Sequence, residues 1–123
     1  MVNQAVKPSK SALKNIKILD LTTVVFGPYA SQILADYGAD VIKIEAPAGD
    51  STRYTGPASE HGLSALFLGI NRNKRRLVLD LNQTEAVAIL QQLIQEADVI
   101  MHNIRVYFVA IAFAAAALAI SVF

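Results

Sequence analysis

Between Ile16 and Met101, short apolar runs alternate with stretches patterned for helix, and that alternation limits the chain to one class of architecture. Ile16, Ile18 and Leu19 run to Asp20 and are followed by Thr22, Thr23 and Val24, a composition suited to a strand leaving into a loop. Residues 29–37 place Ala30, Ile33, Leu34 and Tyr37 at helical spacing, with Pro28 at the helix start and Gly38 suited to the left-handed position that ends a helix. Val41, Ile42 and Ile44 predict a second buried strand closing at Glu45. Residues 77–79 predict a third strand. Thr84 then caps an amphipathic helix that reaches Glu96 through Val87, Leu90, Leu93 and Ile94, and residues 99–101 predict a fourth strand. The result is an α/β fold, the N-terminal part of a Rossmann-like parallel sheet of about four strands with alternating helices and right-handed crossovers.

Three segments follow from composition. Residues 1–15 form a polar lead-in whose Lys7, Lys10 and Lys14 accompany no apolar run, which argues against a secretory signal. Residues 16–105 carry the α/β pattern. Within them, Pro47, Gly49 and Gly56 mark 46–63 as a long surface loop, and long loops in compact domains are usually functional or disordered. Residues 106–123 contain no Asp, Glu, Lys or Arg, and an apolar C-terminal helix is expected there. Its length sits at the lower limit for crossing a bilayer, roughly 17–25 residues. A frameshifted or truncated reading frame is the first reading of this tail, a membrane anchor the second, and a helix packed on an unfinished sheet the third.

The overall charge excludes some functions. Lys and Arg number 11 against 10 Asp and Glu, so a formal +1 draws the chain to neither nucleic acid nor an anionic membrane. Cysteine is absent, which rules out disulfides, thiolate zinc sites and a cysteine nucleophile and fits a reducing compartment. Cytoplasm is the expected location, with anchoring through 106–123 as the alternative.

Ligands of an open parallel sheet bind beyond the carboxyl ends of its strands, here residues 24–28, 45–47, 80–82 and 102–105. Neither a G-x-G-x-x-G nor a P-loop stands at any of them. Glu45 occupies a strand end where nucleotide folds place a ribose-binding acid, but an exposed, solvated carboxylate is the preferred reading. Arg72, Lys74, Arg75 and Arg76 form the densest charge, immediately before a strand, and guanidinium forks suit phosphate oxygens. The competing reading is a solvated basic turn, and no interleaved aromatics suggest nucleic-acid stacking. The two histidines, His61 and His102, lack partners at metal-ligand spacing, and no serine has a nucleophile-elbow context. No metal site and no catalytic pair is expected.

Six blocks carry a resemblance: ILDL at 18–21, FGPYA at 26–30, LADYGADVIKIE at 34–45, GDSTR at 49–53, NRNKR at 71–75 and ADV at 97–99. In order and spacing the chain resembles the class III coenzyme A transferases over 15–105. That family includes formyl-CoA and carnitine-type CoA transferases and, on the same fold, the α-methylacyl-CoA racemases. The resemblance implies that coenzyme A or an acyl-CoA binds as substrate, with no permanently held cofactor and a carboxylic acid as acceptor. It implies contacts from Val25 and Phe26, from Leu79, Asp80, Leu81 and Asn82, and from Asn103, Ile104 and Arg105. Ala46 stands where some members have an arginine, and Arg72, Lys74 or Arg75 are candidates to supply that phosphate contact.

Transfer in the family looks like attack of an aspartate on the thioester, formation of a mixed anhydride, departure of CoA thiolate and passage of the acyl group to the acceptor. That aspartate lies downstream of the matched region, so no catalytic residue is carried over and this chain alone is expected to be inactive. Asp20, Asp36, Asp40 and Asp98 read as strand-end and helix-end residues. Full-length members form interlocked homodimers. Members continue past 105 with Pro-Gly, where this chain has Val106 and Tyr107. Two other readings stay open: a membrane-tethered or inactive fragment that binds coenzyme A or another nucleotide, and a fragment of a racemase.

Overall fold

The computed structural model describes residues 11–104. Arg105, the residues 1–10 of the lead-in and the apolar helix expected over 106–123 lie outside the described residues. Among those described, no helix is long and apolar enough to cross a membrane.

Four strands, β1 (Lys17–Leu21), β2 (Asp40–Glu45), β3 (Arg75–Val78) and β4 (Val99–His102), form one sheet. All neighbours pair in parallel, in the order β3-β2-β1-β4. This is the doubly wound order, with its topological switch between β1 and β4. Successive strand residues face opposite sides. Ile18 and Val41 therefore pack with Ala35 of helix α1 (Phe26–Asp36), while Leu19, Leu21 and Ile44 pack with Leu90 and Ile94 of helix α3 (Thr84–Glu96). Each fully buried side chain of this size contributes roughly 1.5–3 kcal/mol relative to exposure.

Asp20 and Lys43 face the α1 side, paired in register and both sealed from solvent. On the α3 side the buried strand residues Leu19, Leu21, Ile44 and Ile100 are aliphatic.

Several expectations need correction. Helix α1 starts at Phe26, so Pro28 is its third residue, and Gly27 lies so close to the end of β1 that a Cβ there would stand 2.5 Å from Thr22 Cβ. Thr84 is the first residue of α3 rather than its cap; Gln83 precedes the helix with no side-chain cap bond. Strand β3 begins at Arg75, inside the basic turn. Gly38 does have the expected positive φ, +95°, after α1.

The stretch 46–63 is not a plain surface loop. It folds around a 3-10 turn, Ser51–Tyr54, whose Thr52 and Arg53 are buried, and Asp50 caps that turn by accepting from Thr52 N–H at 2.9 Å. Ser64 then donates to Thr52 O and caps a helix absent from the sequence reading, α2 (Ala65–Asn71), by accepting from Phe67 N–H at 3.0 Å. Helix α2 packs against α1 and delivers the basic turn to the edge of the sheet.

Candidate functional site

The carboxyl ends of the four strands define one edge, and the loops leaving them build a crevice of about 260 Å³. Its floor is the aliphatic layer facing α3, from Leu21, Ile44 and Leu79; its rim is polar, from Thr23, Asp50, Asp80 and Asn82. Of the residues expected to contact ligand, Leu79, Asp80, Leu81, Asn82 and Ile104 line this cavity together. Leu79 N–H bonds to Glu45 O at 2.9 Å, extending the β2–β3 ladder by one step, and Asp80 folds the chain back by accepting from Asn82 N–H at 3.1 Å. The Asn82 backbone and side-chain N–H groups hold the Asp80 carboxyl below its ordinary pKa, so it is an anion at neutral pH.

Asn103 does not line the crevice but fixes its rim. Its Oδ1 accepts from Thr23 N–H and its Nδ2 donates to Thr23 O, both at 3.0 Å, clamping the turn after β1 to the end of β4 across the switch point. Val24, next to that clamp, has φ +71°, a strained conformation for a β-branched residue. Val25 precedes α1 and Phe26 begins it, largely in solvent, to one side of the crevice.

The basic turn is divided among four places, with Arg76 beside Glu45. Arg72 is exposed and pairs with Asp36 of α1 at 2.5 Å. The side chain of Lys74 is buried: its ammonium donates to Asp20 Oδ2 (3.0 Å), Pro28 O (2.8 Å) and Asn71 Oδ1 (2.8 Å), which uses all three of its protons. Arg75 pairs with Asp40 at 2.6 Å, at the amino end of β2 and hence the opposite edge from the crevice.

Glu45, expected to be solvated, is 4% exposed. Arg53 grips it with a fork, Nε to Oε2 and Nη2 to Oε1, each at 2.7 Å, while Asp50 N–H donates to Oε2 at 3.0 Å. Burial alone would raise the Glu45 pKa; the Arg53 fork, the Asp50 N–H and the charge of Arg76 outweigh it and hold the carboxyl below its ordinary range. Asp20 behaves likewise, with burial opposed by Lys74, the Ser31 and Thr22 hydroxyls, and Lys43.

The sequence reading assigned Arg53 no role, although it lies in the quoted GDSTR block. Its signal was Gly49, whose φ is +78° and where a Cβ would stand 2.9 Å from Arg53 Cδ, so only glycine lets the arginine fold back onto Glu45. Its guanidinium carbon also lies 3.8 Å from the centre of the Phe67 ring. No group of three or more His, Cys, Asp or Glu suited to a metal occurs among the described residues.

Comparison with known proteins assigns this edge to a family. The profile of CoA-transferase family III matches residues 13–114, crossing the change of composition after Arg105. An acyl-CoA transferase of Fusarium pseudograminearum is 40% identical over 111 residues, covering 83% of this chain and 24% of that protein. A succinate–glutarate CoA-transferase of Agrobacterium fabrum is 43% identical over 103 residues, covering 78% and 26%. The chain thus spans about a quarter of the length of these relatives. Among solved structures, a CAIB/BAIF family protein from Brucella suis superposes with a TM-score of 0.76 at 35% identity, covering 83% of this chain and 28% of its own. With a family match over most of its length and the fold to go with it, this chain belongs to CoA-transferase family III.

Proposed function

We propose that this chain supplies the coenzyme A-binding edge of a transferase that moves CoA between carboxylic acids. The observation that carries the proposal is the crevice at the carboxyl edge, where Leu79, Asp80, Leu81, Asn82 and Ile104 converge on one apolar-floored cavity. An amide-bearing, largely apolar pantetheine arm suits such a floor with a polar rim. Val25 and Phe26 approach the ligand from the start of α1, Asn103 holds the rim through Thr23, and Arg105, outside the described residues, is kept as a further contact in this reading. Arg72, Lys74 and Arg75 serve as structural pairs in this reading, each having its own carboxylate.

In the proposed reaction a carboxylate of the enzyme attacks the thioester carbonyl, the carbon–sulfur bond breaks and CoA leaves as thiolate. The thiolate then attacks the enzyme-side carbonyl of the mixed anhydride, the donor acid departs as carboxylate, and the acceptor carboxylate takes CoA from the resulting enzyme thioester by the same two steps in reverse. No residue of this chain is assigned as that carboxylate. Asp20, Asp36 and Asp40 each face a cation, and Asp98 accepts from Lys17 N–H at 2.8 Å. Relatives named succinyl-CoA:glutarate and succinyl-CoA:mesaconate CoA-transferases suggest a dicarboxylic acyl donor. A homodimer of the whole transferase is part of the same proposal.

Thermal shift of the full chain with CoA, succinyl-CoA and NAD tests the reading. Stabilisation by CoA and succinyl-CoA and none by NAD is expected; equal or absent shifts overturn it.

A further inference from the structure

Helix α1 is apolar on the side turned away from the sheet. Its inner side, Pro28, Ser31, Gln32 and Ala35, is buried. Tyr29, Ile33 and Tyr37, four residues apart and so stacked on one outer face, are 51%, 37% and 59% exposed. Phe26 continues the row at the crevice end and is more exposed still. Single exposed apolar residues are ordinary on a soluble chain, but a row running the length of a helix marks a contact surface. The acid beside the row is already matched, since Asp36 accepts from Arg72 and Asn73, so an apolar cover leaves no unpaired ion there.

The chain itself carries a fitting cover. Residues 106–123 hold no Asp, Glu, Lys or Arg and include Tyr107, Phe108, Phe113 and Leu118. They follow β4, whose end is clamped by the two Asn103–Thr23 hydrogen bonds to the turn before α1, so the segment departs within a few residues of the start of the row. From there α1 runs to the amino ends of the strands, where Tyr37 O accepts from Leu13 N–H. Tyr29 to Tyr37 spans about 12 Å, and the eighteen residues of the segment span about 27 Å even as a helix, at 1.5 Å per residue. So short a tether holds the segment at an effective concentration of about the millimolar range, well above that of a second copy at ordinary working concentrations. The lead-in, residues 1–10, also leaves beside Tyr37, but it brings Lys7 and Lys10, whose charges lose their water against an apolar face with no acid to replace it.

We infer that residues 106–123 fold back over the outer face of α1 and cover Tyr29, Ile33 and Tyr37, leaving Phe26 at the crevice. The contact is apolar on both sides and makes α1 a helix buried between the sheet and its own chain. It is independent of the coenzyme A reading.

Photo-cross-linking on the full chain tests this, with benzoylphenylalanine in place of Ile33 and a mixture of isotopically light and heavy chains. Cross-linked peptides joining position 33 to 106–123 within one molecule are expected. The same probe in place of Ile89, exposed on α3 across the sheet, should give none of them. Links between light and heavy chains would assign the face to a second copy, and links to 1–10 would assign it to the lead-in. Either of these, no link to 106–123, or equal yields from positions 33 and 89 would overturn the inference. Ile33→Glu sets a carboxylate in the contact and should free the segment, raising co-sedimentation with phosphatidylcholine vesicles severalfold, whereas Ile89→Glu should behave as the parent chain does. A parent chain that already sediments as fully as Ile33→Glu would show that the bilayer rather than α1 takes the segment. An Ile33→Glu chain that gains nothing would show that the segment was never held there, and both results count against the inference.

Discussion

Lys74 Nζ stands 3.0 Å from Asp20 Oδ2 with both side chains sealed from water, joining the turn before β3 to the end of β1. The same ammonium reaches Pro28 O at the start of α1 and Asn71 at the end of α2, so one side chain ties four elements together. Removing one partner of a buried ion pair leaves an uncompensated charge, which costs roughly 3–5 kcal/mol. Lys74→Met should therefore lower stability by about that amount in denaturant titration. The double variant Lys74→Met with Asp20→Asn should lose less than the two single losses added together. A Lys74→Met chain as stable as its parent would remove the pair from its structural role.

Gly49 holds the loop so that Arg53 can grip Glu45. Gly49→Ala combines a strained positive φ with a clash against Arg53 Cδ, and a loss of at least about 1–3 kcal/mol is expected. Arg53→Lys keeps the charge but loses the fork, and should be destabilising as well. Thermal unfolding of both variants measures this, and a neutral Gly49→Ala would show that the loop tolerates another path.

Asn103 and Thr23 form two hydrogen bonds across the switch point. Asn103→Ala should cost roughly 1–3 kcal/mol, because it unpairs the Thr23 backbone, and it should also weaken CoA by loosening the crevice rim. Asn103→Asp retains the acceptor but sets an anion against Thr23 O, and should be no better than alanine. Comparing ligand affinity with unfolding free energy for both variants separates the two effects.

Arg72–Asp36 and Arg75–Asp40 are short but exposed pairs. Exposed ion pairs are worth roughly 0–1 kcal/mol and are screened by salt. Arg72→Ala and Arg75→Ala should each stay within about 1 kcal/mol of the parent chain, with the difference shrinking as salt is added. A larger, salt-insensitive loss in equilibrium unfolding would contradict this.

Asp20, Glu45 and Asp50 all titrate below their ordinary values because nearby cations and hydrogen-bond donors outweigh the burial that would raise them. A carboxyl with a lowered folded-state pKa stabilises the fold fully above its ordinary pKa and loses that contribution as pH falls through the lowered one. Stability should therefore hold from neutral pH down to the ordinary carboxylate range and fall below it. The gap between the parent chain and Asp20→Asn should narrow as acid is added. Denaturant titrations at successive pH values test the slope, and a gap that stays constant would contradict the sign.

The strands and the two longer helices were legible because their signals are local. Ile18 and Leu19, Val41 to Ile44, and Leu90 to Ile94 carry their periodicity within a few residues, and Gly38 marks its helix end through its own backbone. Helix α2 was missed because it is short and lies beside a glycine-rich loop. Its one local sign was Ser64 ahead of Phe67 and Ile70.

The sequence by itself determined the parallel α/β order, the strand-end edge at which the crevice lies, and the family, since each depends on residue identity at near neighbours. Only the tertiary structure decided what each charge does. Arg72, Lys74, Arg75 and Arg76 look alike along the chain, but their partners come from β1, α1 and β2, many residues away. Folding leaves one of them fully satisfied in the interior, two on exposed acids, and Arg76 sharing an acid that Arg53 already holds. The physical reason is that an electrostatic role depends on distance and burial, and both are set by how the sheet and loops close rather than by spacing in sequence.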